Sequence, residues 1–253
     1  MQEPRLEIAR DSRDLAERMV QLFIAAAEGA VASRGVFRTA LSGGRTPEQF
    51  LLRLASSPRA QVLPWDKVHV FWVDERYVPP DSQASNYRLV VETFLNRIDI
   101  PTANIHRIST ECADVDAAAR DYERTMREAF GLQDSEIPQF DLIVLGMGRD
   151  GHTASLFPNS GAIYDTDHLA CAVCSVGDPK LDRITLTKSV LRAARRLVVL
   201  VSGGDKTQML EEVLTGEPDE MRYPIQVLWP VLDRVTWLVD REAAGKISGV
   251  DNG

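Results

Sequence analysis

The run 197–201, Leu197-Val198-Val199-Leu200-Val201, carries no polar side chain, and it gives way at once to Ser202-Gly203-Gly204 and a helical stretch over 206–214. A strand without a polar face is buried on both sides, as in a parallel sheet covered by helices above and below. Residues 36–41, 68–73, 140–145, 169–176, 183–186 and 234–239 also read as strands. Apolar residues at helical spacing predict helices over 12–27, 86–95, 117–130 and 188–194, with Ser12 capping the first. Another helix opens at Thr46-Pro47-Glu48-Gln49. Thr46 is expected at the N-cap, Pro47 at the first helical position and Gln49 closing a capping box. The expected fold is α/β, a mainly parallel sheet with helices on both faces. No linker-like or low-complexity stretch divides the 253 residues, so they read as a single domain, 1–253.

Ligands of such sheets bind beyond the carboxyl ends of the strands, so the residues after each strand carry the functional reading. Composition removes several classes first. A net charge of −8 without a basic stripe argues against a nucleic-acid or anionic-membrane partner. No apolar run reaches the length of about 18 residues that a membrane span needs, and the N-terminus lacks a secretory pattern; a cytoplasmic location is expected. The three cysteines do not suggest a disulfide framework. Cys171 and Cys174 lie three apart in a strand, hence on opposite faces, and no second pair completes a metal site.

Leu41-Ser42-Gly43-Gly44 and Val201-Ser202-Gly203-Gly204 both join an apolar strand to a helix. Each turn either presents backbone N–H groups to an anion or is a tight glycine turn without a ligand. Asp74-Glu75-Arg76-Tyr77 places three charges directly after a buried strand, where a solvated turn is the plain alternative. After the strand 140–145 comes Gly146-Met147-Gly148-Arg149-Asp150-Gly151-His152. Its glycine spacing matches a dinucleotide fingerprint. That fingerprint needs a long helix from its third glycine, yet Pro158 follows Gly151 by seven residues, and Asn159-Ser160-Gly161 continues as loop. The glycines instead let the backbone approach a ligand closely.

His152 is the leading candidate for catalysis. An unperturbed imidazole has a pKa of about 6.5 and exchanges protons at neutral pH. Asp150, two residues away, can orient it. His69, His106 and His168 lack such a setting and receive no role. Arg183 and Lys206 fall at strand-to-loop junctions and are candidates to clamp a phosphate. Gly204-Asp205-Lys206-Thr207 fails as a P-loop, because Asp205 separates glycine from lysine.

Leu41-Ser42-Gly43-Gly44-Arg45-Thr46-Pro47, the segment 71–79 with Ser85-Asn86-Tyr87, residues 146–158, residues 183–187, and Gly204 with Lys206 together resemble the 6-phosphogluconolactonase family in order and spacing. The resemblance implies a modified Rossmann-like fold shared with glucosamine-6-phosphate deaminases. It implies hydrolysis of 6-phospho-D-glucono-1,5-lactone in the oxidative pentose phosphate pathway, with no metal or organic cofactor. Under it, His152 is the base and Asp150 its orienting partner. Ser42, Gly43, Gly44, Asp74, Arg76, Arg183 and Lys206 bind substrate; Asp74 meets sugar hydroxyls, and Arg76 or a glycine-loop amide meets the developing oxyanion. A monomer or weak homodimer is expected.

A deaminase or isomerase is the runner-up. Those relatives carry an acid where this chain has Phe157, which cannot relay a proton. A sugar-phosphate sensor is the non-catalytic alternative, but the residues before the first strand hold one long helix and no basic recognition helix. Two positions depart from the family pattern, Arg45 for a serine and Arg149 for an acid. Arg45 either supplements phosphate binding or faces solvent.

Overall fold

A computed structural model describes residues 4–245 and 247. The order is β1 (Arg5–Ala9), α1 (Ser12–Arg34), β2 (Phe37–Leu41), α2 (Arg45–Ser56), α3 (Pro58–Gln61), β3 (Val68–Trp72), β4 (Asp74–Arg76), α4 (Asn86–Thr93), β5 (Ile105–His106) and α5 (Val115–Phe130). It continues with β6 (Leu142–Gly146), β7 (Ala170–Val176), β8 (Leu181–Leu186), α6 (Lys188–Ala193), β9 (Leu197–Val201), α7 (Thr207–Thr215), β10 (Val235–Asp240) and α8 (Arg241–Ala244). Seven strands form one sheet in the order β1-β10-β9-β6-β2-β3-β5, every neighbouring pair parallel. The expected modified Rossmann-like α/β fold is present. From β2 the chain runs outward to β3 and β5, then returns to β6 on the other side of β2 and continues to β9. The reversal between β2 and β6 is the switch point at which such sheets open a crevice at their carboxyl edge.

The core lies on both faces of this sheet. All five residues of β9 are buried, as a strand with no polar face requires. Phe23 of α1 meets Phe37 of β2 and Phe50 of α2, with ring centroids 5.3 and 5.7 Å apart. Each such ring contributes on the order of 2–3 kcal/mol by leaving water. Tyr122 of α5 fixes the end of β3. Its hydroxyl accepts from the Trp72 N–H at 2.9 Å and donates to the Trp72 carbonyl at 2.7 Å.

Several elements differ from the sequence reading. Helix α1 continues to Arg34, because buried Ala30 and half-buried Val31 prolong its apolar face past Gly29, and Gly35 ends it at φ 75°. Asp11, not Ser12, caps its N-terminus by accepting the Asp14 N–H at 2.8 Å. The capping box at Thr46 does not form. Gly44 takes φ 100° and starts α2 two residues earlier, without a side-chain cap. Pro47 then stands third in the helix, still within the first turn, where its missing N–H is harmless. Strands β7 and β8 leave the main sheet. The short turn between them permits only antiparallel pairing, and β4 joins to give a second sheet, β4-β8-β7. Strands β1, β4 and β5 escaped the sequence reading, since β1 is a half-exposed edge strand, β4 consists of three charged residues and β5 is only two residues long.

Candidate active site

A cleft of about 520 Å³ opens at the carboxyl edge of the main sheet. Its walls come from the loops after β2, β6 and β9 and from the second sheet. Ser42, Gly43, Gly44, Asp74, Arg76, His152, Arg183 and Lys206 all line it. Every substrate-binding residue expected from the sequence is thus brought to one place, together with His152. Asp150 stands behind His152 instead of on the wall.

The imidazole is held at two points. Its Nδ1 lies 2.5 Å from Asp150 Oδ1, and its ring stacks on Phe157 with centroids 4.3 Å apart and planes 25° apart. A carboxylate at Nδ1 selects the tautomer with hydrogen on that nitrogen, which leaves the Nε2 lone pair free to accept a proton. Partial enclosure opposes ionisation of Asp150, but the hydrogen bonds and charge of His152 outweigh it and hold the carboxyl below the usual carboxylate range. The glycines are needed for this approach. A Cβ on Gly148 would lie 2.0 Å from His152 Nδ1 and 2.5 Å from Asp150 Oδ1. Gly151 adopts φ 77° to turn the chain between the two residues.

Opposite, β4 pairs with β8 so that Arg76 faces Arg183 and Asp74 faces Thr185. Two arginines directly across a ladder repel one another. Arg183 is 7% exposed, and its nearest carboxylate, Asp74, is 4.0 Å away. Burial lowers its pKa, as does the neighbouring Arg76 charge, against the pull of Asp74. Among the described residues, four of the nine buried side-chain polar atoms without a protein partner belong to residues lining the cleft: Nε of Arg183, Nε of Arg76, Oγ of Ser42 and Oδ1 of Asn86. Such orphans are rare in folded proteins and call for a partner from outside. Lys206 donates to the Met147 carbonyl at 3.0 Å, and burial lowers its pKa as well. The arrangement suits an anion held by Arg183 and Lys206, with uncharged polar groups for hydroxyls beside it.

The two Ser-Gly-Gly turns part company. Both turns line the cleft, and the first is followed by a twelve-residue helix without a side-chain cap. In the second, Asp240 accepts from the Ser202 hydroxyl and, at 3.1 Å, from the Gly203 N–H. That amide is therefore taken by the protein itself. Glu75 is also structural. Its buried carboxylate accepts from the N–H groups of Asn86 and Tyr87 at 2.7 Å each and from the Ser85 hydroxyl at 3.0 Å, which caps α4.

Asn86, Ser155 and Phe157 were not assigned to the site in advance. Asn86 presses on Gly43 so closely that a Cβ there would fall 1.9 Å from its Oδ1. Ser155 is buried and donates to Asp74 Oδ2 at 2.7 Å, which fixes that carboxylate and gives the hydroxyl no role as nucleophile. The polar run Ser85-Asn86 beside a helix start was a signal for the first; the other two depend on contacts between distant segments. Of the departures from the family pattern, Arg45 is exposed at the cleft mouth, whereas Arg149 forms an ion pair with Asp205 at 2.6 Å and lies off the wall.

A family model described as glucosamine-6-phosphate isomerases/6-phosphogluconolactonase matches residues 10–237. The chain is 39% identical over 240 residues to the 6-phosphogluconolactonase of Synechocystis sp., covering 95% of this chain and 97% of that protein. It is 35% identical over 251 residues to the 6-phosphogluconolactonase of Mycobacterium tuberculosis, covering 96% and 98%. The crystal structure of 6-phosphogluconolactonase from Thermotoga maritima superposes with a TM-score of 0.79 at 31% identity, covering 93% of this chain and 99% of that one. A monomeric glucosamine-6-phosphate deaminase shares the fold, with a TM-score of 0.74 at 20% identity. On the span of the family match and the identity to these relatives, the chain belongs to the glucosamine-6-phosphate isomerase/6-phosphogluconolactonase family.

Proposed function

We infer that the chain hydrolyses 6-phospho-D-glucono-1,5-lactone to 6-phosphogluconate. The observation that carries the reading is the Asp150–His152 pair at 2.5 Å, facing a cleft whose other wall holds Arg183 with an orphaned Nε. That pairing offers a base and an anion clamp in one cavity, which a phosphorylated cyclic ester requires. The relatives named as lactonases support the same substrate.

His152 acts as general base. Its Nε2 takes a proton from water, and the water oxygen bonds to the lactone carbonyl carbon. The carbonyl oxygen becomes an oxyanion, received by Arg76 or by an N–H of the first glycine turn. As the tetrahedral intermediate collapses, the bond from carbon to ring oxygen breaks. Protonated His152 returns its proton to that oxygen, giving the open-chain acid. Asp150 stabilises the imidazolium between the two transfers. Gly43, Gly44, Arg183 and Lys206 hold the phosphate, while Ser42 and Asp74 meet sugar hydroxyls. Base catalysis of this kind supplies about 10²–10⁴-fold. We read residues 1–253 as one domain acting in the cytoplasm as a monomer or weak homodimer.

The deaminase reading is disfavoured by Phe157, which packs against His152 and offers no carboxylate for a further proton transfer. An assay of lactone hydrolysis against the uncatalysed rate, run beside glucosamine 6-phosphate, separates the two. Accelerated ring opening without ammonia release is expected; ammonia release would replace this reading with the deaminase one.

A further inference from the structure

One hydrogen bond fixes a point on a ring but not its plane. The Nδ1 contact to Asp150 and the close approach of Gly148 hold one edge of the His152 imidazole, and its side chain is 29% exposed. The second restraint comes from Phe157. The chain folds back between the two residues through a tight turn, with Ala154 at φ 53° and the Leu156 N–H donating to the Thr153 carbonyl at 2.9 Å. This stacks the buried Phe157 ring on the imidazole, with centroids 4.3 Å apart and planes 25° apart. The same ring also carries the guanidinium of Arg183, 5.2 Å from its centroid. A single apolar side chain thus contacts both the base and the anion clamp.

We propose that Phe157 is a positioning residue that aims Nε2 of His152 into the cleft and, through its π face, stabilises the imidazolium formed when water is deprotonated. A ring face attracts a cation, and the attraction is present only while His152 is protonated. The effect therefore favours the charged intermediate over the resting base. Contact with Arg183 adds a smaller role in seating the anion clamp. The proposal rests on His152 being the base.

The test compares Phe157→Leu and Phe157→Tyr with wild type and His152→Ala. It uses kcat and KM for lactone hydrolysis across pH, with the His152 titration followed by NMR. The leucine variant is expected to lose about tenfold in kcat, with a smaller rise in KM. Its imidazole pKa should fall by about half a unit, since a cation–π contact of ordinary strength corresponds to that shift. The tyrosine variant should restore both. Should the leucine variant not fold, Phe157→Met is read the same way. An unchanged imidazole titration in the leucine variant, or a kcat loss that tyrosine does not repair, overturns the proposal. An active His152→Ala enzyme would instead remove the base assignment, a result distinct from a silent Phe157→Leu.

Discussion

The two ends of the central sheet carry charge in opposite ways. At the amino edge, Asp141 before β6 is 6% exposed and fully engaged. Arg34 donates to its Oδ1 from Nε at 3.0 Å and from Nη2 at 2.7 Å, the Arg38 N–H donates to Oδ2 at 2.8 Å, and Arg195 lies 3.6 Å away. At the carboxyl edge, Arg183 is as deeply buried, but among the described residues its nearest carboxylate is 4.0 Å away and its Nε has no partner. The first cluster ties α1, β2 and β6 together. The second leaves donors open at the cost of some stability. Burial alone does not distinguish them; saturation of the hydrogen bonds does.

That contrast can be attacked from either side. The largest effect is expected from His152→Ala, which should lower the rate of lactone hydrolysis at least about a hundredfold while leaving the unfolding midpoint in place. Near-normal turnover would remove the carboxyl edge as the seat of chemistry. Next come Arg183→Met and Lys206→Met. Each should raise KM for the phosphorylated lactone about tenfold or more, the usual weight of a charged hydrogen bond, and leave the slow hydrolysis of unphosphorylated gluconolactone untouched. Equal losses on both substrates would deny a phosphate clamp. Asp141→Ala should behave in the reverse manner, losing about 2–3 kcal/mol of stability to urea with kcat/KM near that of wild type. A large kinetic defect there would blur the division.

The smallest effect concerns acid. His69 and His106 stack with ring nitrogens 2.9 Å apart, and burial together with the nearby Arg38 charge lowers both pKa values, that of His106 to about 4. Both histidines take up protons in the unfolded chain below about pH 6.5 and resist protonation in the fold. Their contribution is therefore complete above that pH and lost as pH falls toward 4. Urea unfolding at pH 7.5 and pH 5 should differ by about 1–2 kcal/mol from this pair, and His106→Gln should reduce the difference. An unchanged difference in that variant would assign the acid sensitivity elsewhere.

Much of this was legible in the residues. The mainly apolar runs located β2, β3, β6, β9 and β10, because a doubly covered strand buries most of its side chains. The glycines around Asp150 and His152 marked a close approach, but what Gly148 meets is the His152 and Asp150 side chains, where a ligand was expected. What escaped detection depends on partners distant in sequence. Glu75 reads like a site acid until Asn86 and Tyr87 deliver their N–H groups to it. The second Ser-Gly-Gly turn equals the first in sequence, and only the end of β10 supplies Asp240 to occupy it. Thr46 and Gln49 have the residue types of a capping box, but the positive φ open to Gly44 starts the helix before Thr46. Phe157 could be read as a missing acid, yet its contact with the base required the turn at Ala154.

The division between the two edges is tested most directly by thermal unfolding of wild type, Lys206→Met and Asp141→Ala, each with and without saturating 6-phosphogluconate. A ligand that binds only the folded state at about a hundred times its Kd adds about 2.7 kcal/mol. Asp141→Ala should melt below wild type yet gain the full increment. Lys206→Met should melt no lower than wild type and, at the same ligand concentration, gain only about half as much. An intact increment in Lys206→Met, or its loss in Asp141→Ala, would contradict the account.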